Sequence, residues 1–349
     1  MEPERLQDLL RRFPSCRIAV LGDFFLDKYL DVDPGLAEVS LETGKRAHQV
    51  VRVRCAAGAA GTVVNNLAAL GAGQVHALGF TGDDGEGHEV RRALRAVGCD
   101  VSGLVTIADR VTPTYLKPRD CRIEGLAGEH ERYDTKNRVP VSAAVPHEVL
   151  ASLARRLPGL DAVIVVDQVE DPECGMVTEA VRGELARLAG ANPRTLFWVD
   201  SRHWTGLFQN VTIKANAREV VRAIVGEGAD PDEDHVLEGA TLELRRRTGK
   251  PVFVTAGARG TWVGDKAITL IPAVHVEGPI DPTGAGDSAT AGGVLTLCAG
   301  GTLEEAALVG NLVASITIQQ LATTGTARPA QLGPRLDLWR SQQGPGSGR

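Results

Sequence analysis

Ile280-Asp281-Pro282-Thr283-Gly284-Ala285-Gly286-Asp287 runs without a break into the small-residue stretch Ser288 to Leu297. Its glycines let the backbone turn tightly and bring N–H groups close to a ligand. The run that follows predicts a helix, whose first N–H groups lack intrahelical partners and carry the positive end of the helix dipole. An anion facing these groups is stabilised. Asp287 falls in the first turn, a carboxylate beside a phosphate-sized anion site. A base next to an anion hole is what phosphoryl transfer to an alcohol requires. The same residues also make an ordinary helix N-cap with no chemistry attached, and both readings stand on the local sequence.

Asp-x-Thr-Gly-Ala-Gly-Asp followed by a small-residue helix resembles the C-terminal signature of the ribokinase-like (PfkB) carbohydrate kinases. The resemblance implies an α/β fold, a ribokinase-like three-layer α/β/α sandwich with a small β-sheet lid. It implies Asp287 as the base, with the N–H groups of Gly284, Ala285 and Gly286 as the anion hole. It further implies ATP and Mg²⁺ as cofactors, K⁺ as a monovalent cation beside Asp281, a sugar or sugar-phosphate acceptor, and a homodimer formed through the lid.

The 349 residues are 43% hydrophobic, enough for one large α/β core or two modest ones. A net charge of −6 offers no basic field for nucleic acid or an anionic membrane. Cys16, Cys55, Cys99, Cys121, Cys174 and Cys298 show neither a Cys-x-x-Cys pair nor a disulfide-scaffold spacing, and read as buried thiols of a reducing cytoplasm. No apolar run reaches the roughly 18 residues of a membrane span. Met1 to Phe13 is charged and helical in pattern, unlike a signal peptide.

Cys16 to Leu21 predicts a buried first strand, with Gly22-Asp23 starting a loop at its carboxyl end, where ligands bind in open α/β sheets. Gly22-Asp23-x-x-Leu26-Asp27-x-Tyr29 resembles the heptose-phosphate kinases of the same family, in which the second aspartate holds sugar hydroxyls. A turn or N-cap aspartate is the plainer reading of Asp27. Period-two alternation marks strands with one wet face in residues 30–55 and again in 101–138, which predicts a small sheet standing off the main body. Lys117, Arg119 and Arg132 in Pro-Thr-x-x-Lys-x-Arg and Arg-x-Asp are, by the same resemblance, candidates for a phosphate on the acceptor; solvated surface cations are the alternative. The kinase domain is expected over residues 14–330 and a disordered tail over 342–349.

Gly58 to Gly71 reads as a glycine loop entering a helix. The family pattern here is Gly-Gly-Ala-Ala-Asn-x-x-x-Asn; this chain keeps Gly58 and Asn66 but has Ala59 for the second glycine and Thr62 for the first asparagine. A bidentate amide is thereby replaced by a shorter hydroxyl, so the acceptor is expected to differ from the family's usual one. Gly79 to Gly87 reads as a structural turn. After Pro140, helices about 146–157 and 175–188 alternate with strands 162–166 and 196–199, which predicts parallel strands with right-handed crossovers. Asp167 and Asp200 end two of those strands, at the edge where ligands bind, and Asp167 is a candidate for binding the acceptor. Arg202 stands where the heptose-phosphate kinases carry lysine and, by that resemblance, joins Lys117, Arg119 and Arg132 as a candidate for a phosphate on the acceptor.

Lys214-Ala215-Asn216-Ala217-Arg218-Glu219 resembles the family's Lys-Pro-Asn-x-x-Glu element, with Lys214 reaching nucleotide phosphates and Asn216 and Glu219 holding Mg²⁺ through water. A capping box is the structural alternative and is compatible with it. Thr255, Gly257 and Gly260 fit the family's nucleotide loop, and Asn311 and Gly325 fall in the segment that walls the adenine. The resemblance covers about Ile18 to Thr326 and is nearest to the heptose 7-phosphate kinase domain of ADP-heptose synthases. A sugar- or nucleotide-binding protein of the same fold without turnover is the other reading.

Overall fold

A computed structural model describes residues 1–344. Its strands are β1 (Arg17–Val39), β2 (Arg46–Ala59), β3 (Gln74–Gly82), β4 (Asp100–Ile107), β5 (Thr114–Asp120) and β6 (Tyr133–Thr135). They continue with β7 (Ala162–Asp167), β8 (Leu196–Ser201), β9 (Thr212–Asn216), β10 (Val252–Thr255), β11 (Thr261–Gly264) and β12 (Ile268–Ile271). The main sheet runs β12-β11-β10-β9-β8-β7-β1-β3-β4. It is parallel from β10 to β4, and β11 and β12 add an antiparallel edge.

Successive residues of the central strands point into different cores. Ile18 and Val20 of β1 join Leu67, Leu94 and Leu295, whereas Ala19 and Leu21 join Val149, Leu185 and Leu244. A strand covered by helices on both faces has no wet side, hence the unbroken apolar runs of β1 and β7. The helix Ala285–Cys298 is built of small residues because it is crossed closely by Leu303–Thr317. A methyl on Gly310 would fall 3.0 Å from the Ala289 carbonyl oxygen.

Three expectations need correcting. The first strand does not stop at Gly22-Asp23 but continues to Val39, leaving the main sheet and entering a second one. Gly22 is required where the strand passes between sheets, since a Cβ there would lie 2.0 Å from Val166 O. The far half of β1 pairs antiparallel with β2 and parallel with β5, and β6 completes this small sheet. Residues 101–107, expected in the small sheet, pair instead with β3 as the edge of the main sheet. An edge strand also has a wet side, and its alternation is the same. Of the expected tail, Gln342 is the last residue of the helix Pro329–Gln342, and residues 345–349 lie outside the described residues.

Candidate active site

Asp27, midway along β1, and the carboxyl ends of β8 and β9 meet the turn before the helix Ala285–Cys298. Gly284 caps that helix at φ +77°, a left-handed conformation that suits glycine, with the Thr62 methyl packed beside it. Among the described residues, the N–H groups of Gly284, Gly286 and Asp287 have no acceptor in the protein. The Ala285 N–H is spent on Pro282 O at 3.1 Å, so of the expected trio Gly284 and Gly286 remain free. Asp281 braces the turn from behind: its buried carboxylate accepts from the N–H of Thr283 (3.0 Å) and of Ala322 (3.2 Å).

Lys214, 6% exposed at the end of β9, donates to Asp200 Oδ2 at the end of β8 (2.8 Å). Its ammonium lies against the turn, 2.5 Å from where a Gly286 methyl would be. Burial alone would lower the Lys214 pKa, but the carboxylates of Asp200 and Glu219 outweigh it and hold the value above the ordinary one. Asp287 is pushed up to about 7, by burial first and then by Asp200, against the opposing pull of Lys214 and Arg202. A carboxyl group that titrates near neutral pH suits a general base.

Asn216 and Glu219 form a capping box at the start of the helix Ala217–Ile224: Asn216 N–H donates to Glu219 Oε2 (2.8 Å) and Glu219 N–H to Asn216 Oδ1 (2.9 Å). Glu219 Oε1 has no partner among the described residues, and burial raises the pKa of this group. A nearby cation would relieve that condition, so the pair fits a water-shelled Mg²⁺. Thr255 is the register partner of Asn216, which brings the 255–260 loop to the same edge. Gly257 has φ +56°, and a methyl on Gly260 would strike Ile271 O at 2.1 Å. Asn311 is occupied structurally: it accepts from Thr261 Oγ1 (2.6 Å) and donates to Ile271 O (3.0 Å) and Pro272 O (3.2 Å). Gly325 is likewise needed for packing, 2.5 Å from Thr317 O were it to carry a Cβ.

Among the residues expected to meet the acceptor, Asp27 is buried and paired with Lys117 (2.8 Å), which also reaches Tyr29 OH at 3.4 Å. A Gly58 Cβ would lie 2.4 Å from Asp27 Oδ2, so glycine there leaves room for the carboxylate. Asn66 turns inward, donating to Thr62 O (3.0 Å) and Gly325 O (3.3 Å), with its own Oδ1 left without a donor. Asp167 accepts from Ser201 Oγ (2.7 Å), and burial drives its pKa up to about 8. Arg119 is not brought to this site; it donates to Ile123 O (3.0 Å) and lines a separate groove with Arg52, Arg54 and Thr323. Arg132 is held by Asp134 (2.6 and 2.8 Å) and lies over the Tyr115 ring. Together with Arg202, Phe25, Phe80 and Gln168 it lines a cavity of about 190 Å³ between the small sheet and the main body.

The sequence puts Asp200 at a ligand-binding strand end without naming its partner, and assigns no chemical role to Tyr115 or Asp23. Asp23 accepts from the N–H of Gln168 (3.0 Å) and Met176 (2.7 Å) and so fastens the loop that forms one cavity wall. A strand-ending Asp-Ser-Arg pointed toward Asp200 only in outline, because its partner Lys214 lies in the next strand.

The pfkB family carbohydrate kinase profile matches residues 24–120 and 207–330. The bifunctional protein HldE of Citrifermentans bemidjiense is 30% identical over 341 residues, 94% of this chain and 65% of that protein. HldE of Hyphomonas neptunium is 30% identical over 331 residues, 91% of this chain and 63% of that one. The chain thus spans just under two thirds of the length of these curated relatives. Among solved structures, phosphofructokinase-2 from Escherichia coli, in complex with substrates and products, superposes with a TM-score of 0.67 at 17% identity, covering 93% of this chain and 99% of that one. Ribokinase from Cryptococcus neoformans, in complex with ADP, gives 0.62 at 19% identity over 92% and 99%. With the family profile covering more than half of its length, the chain belongs to the pfkB family of carbohydrate kinases.

Proposed function

We propose that the protein transfers the γ-phosphoryl group of ATP to a hydroxyl of a small sugar or sugar phosphate, with Asp287 taking the hydroxyl proton. The carrying observation is the first turn of the helix Ala285–Cys298: a carboxyl group titrating near 7, beside two free glycine N–H groups, with the Lys214 ammonium packed against the turn. Charge developing on the transferred group meets donors already in place. In this reading Lys214, Asn216, Glu219, Thr255 and the 257–260 loop serve the nucleotide, and Asp27, Gly58 and Asp167 serve the acceptor. Bound Mg²⁺ supplies charge neutralisation on the phosphate oxygens, and Glu219 Oε1 with Asn216 holds its water shell. Asp281, which ties the anion-hole turn to the loop at Ala322, is the place for K⁺.

The acceptor is heptose-phosphate-like; in the 190 Å³ cavity Arg132 and Lys136 face acids of their own, Asp134 and Glu170, and the support for an anionic substrate is Arg202, whose guanidinium has no carboxylate partner among the described residues. Val51 and Val53 of β2, 51% and 53% exposed, with Leu36 and Val39 of β1, support a homodimer formed through the small sheet. Six free cysteines among the described residues support a reducing cytoplasm. Assay of ADP formation with a panel of sugars and sugar phosphates tests the reading. ATP- and acceptor-dependent turnover is expected; saturable acceptor binding with no ADP formed would make the protein a binding protein of this fold.

A further inference from the structure

Four basic residues are candidates for meeting phosphate at the acceptor side, and the structure sorts them. Lys117 is neutralised by buried Asp27 at 2.8 Å. Arg119 faces a different groove and caps carbonyls of its own turn. Arg132 is locked in a bidentate pair with Asp134. Arg202 alone of the four has neither a carboxylate nor a hydrogen-bond acceptor on its guanidinium among the described residues, although it lines the cavity.

Its backbone, by contrast, is fastened from both sides. The Arg202 N–H donates to Asp167 O (3.0 Å), and Arg202 O accepts from the Arg222 guanidinium of the helix Ala217–Ile224. The preceding residue, Ser201, bonds Asp167 (2.7 Å) and accepts from Trp204 N–H (3.1 Å). This turn begins two residues after Asp200, the partner of Lys214, and Arg202 lines the cavity together with Tyr115 of the small sheet. An unpaired guanidinium therefore projects from a rigid turn at the junction of the acceptor cavity with the Lys214 and Asp287 side of the cleft.

We propose that Arg202 is a catalytic residue that contacts the phosphoryl group in flight from the acceptor side, opposite Lys214 and the glycine N–H groups. The inference rests on the kinase reading above. As the acceptor oxygen forms its bond to phosphorus and the bond to the ADP oxygen breaks, the acceptor proton goes to Asp287 and negative charge spreads over the equatorial oxygens. A planar, permanently charged fork meets two of those oxygens at once. Since it is unpaired beforehand, no ion pair has to be broken when the phosphoryl group arrives. Its field also acts on Asp287, whose other charged neighbours are Asp200 on β8, Lys214 on β9 and Asp27 on β1.

The test compares Arg202→Ala and Arg202→Lys with the unaltered protein, on the best acceptor of the panel. Arg202→Ala is expected to lower kcat by about 10²-fold or more, with MgADP affinity by calorimetry and thermal stability unchanged. Arg202→Lys should keep part of the rate. In Arg202→Ala the acid limb of the pH–rate profile should move to higher pH, because Asp287 loses a neighbouring positive charge; a residue that merely shaped the cavity would leave that limb in place. A rise in acceptor KM with kcat and the acid limb unaltered would overturn the proposal and make Arg202 an acceptor-binding group. No turnover by the unaltered protein with any acceptor would instead refute the kinase reading.

Discussion

Ala59 caps the helix Ala60–Ala69 with φ +52° and ψ −118°, a conformation that glycine adopts freely and other residues rarely do. Backbone strain of this kind costs about 1–3 kcal/mol. Substituting glycine removes it but restores conformational freedom to the unfolded chain, which costs about 0.4–1 kcal/mol. Ala59→Gly should therefore stabilise the protein by about 0.5–2 kcal/mol, a rise in Tm of roughly 1–4 °C for a chain of this size. Urea unfolding should show a higher midpoint at unchanged slope. Ala60→Gly, one residue on and inside the helix, supplies the opposite sign: a buried methyl is lost and helix propensity falls by about 1 kcal/mol. A lower midpoint for Ala59→Gly, or equal shifts for both variants, would refute the account of strain at Ala59.

Asp287→Asn keeps the shape but cannot take the proton, so turnover should fall by about 10²-fold or more while nucleotide still binds. With a base titrating at about 7, kcat/KM of the unaltered protein should climb as pH rises toward 7 and level off above it. Glu219→Gln should raise the Mg²⁺ concentration needed for half-maximal rate and leave acceptor binding without nucleotide unchanged, as calorimetry would show. Asp167 holds its proton up to about pH 8 in the folded protein, whereas the unfolded chain releases it near 4. Stability linked to this group is complete below pH 4 and is lost as pH rises to 8. The Tm gain of Asp167→Asn should thus be larger at pH 8 than at pH 5. Ala59→Gly with Thr62→Asn should improve the use of heptose 7-phosphate, read as kcat/KM against the unaltered chain.

The turn from Asp281 to Asp287 is legible in the sequence because it is local: seven consecutive residues set the turn and the place of Asp287, whereas the bond of Ala285 N–H to Pro282 O, which removes one of the three expected donors, shows only in three dimensions. The capping box of Asn216 and Glu219 is legible for the same reason. Gly22-Asp23 misleads because a glycine that ends a strand and one that admits a neighbouring carbonyl look alike without Val166 in view. Residues 101–107 mislead because an edge strand and a lid strand both have one wet face. The pairings of Lys117 with Asp27 and of Lys214 with Asp200 join separate strands, and these pairings decide which cations are free. Arg202 stands out only after its rivals are seen to be occupied.

The continuity of β1 has a mechanical consequence. A cover joined to its enzyme by loops can swing on them, but here one 23-residue strand belongs to both sheets, and Asp27 lies only five residues beyond the crossing point at Gly22. Rotation of the small sheet must be taken up as torsion along a hydrogen-bonded ribbon. That torsion moves Asp27, and with it Gly58 packed against its carboxylate on β2, in the same stroke. On the proposed reading, in which Asp27 and Gly58 serve the acceptor, these residues are part of the spring, so that closing over the acceptor and taking hold of it would be one displacement.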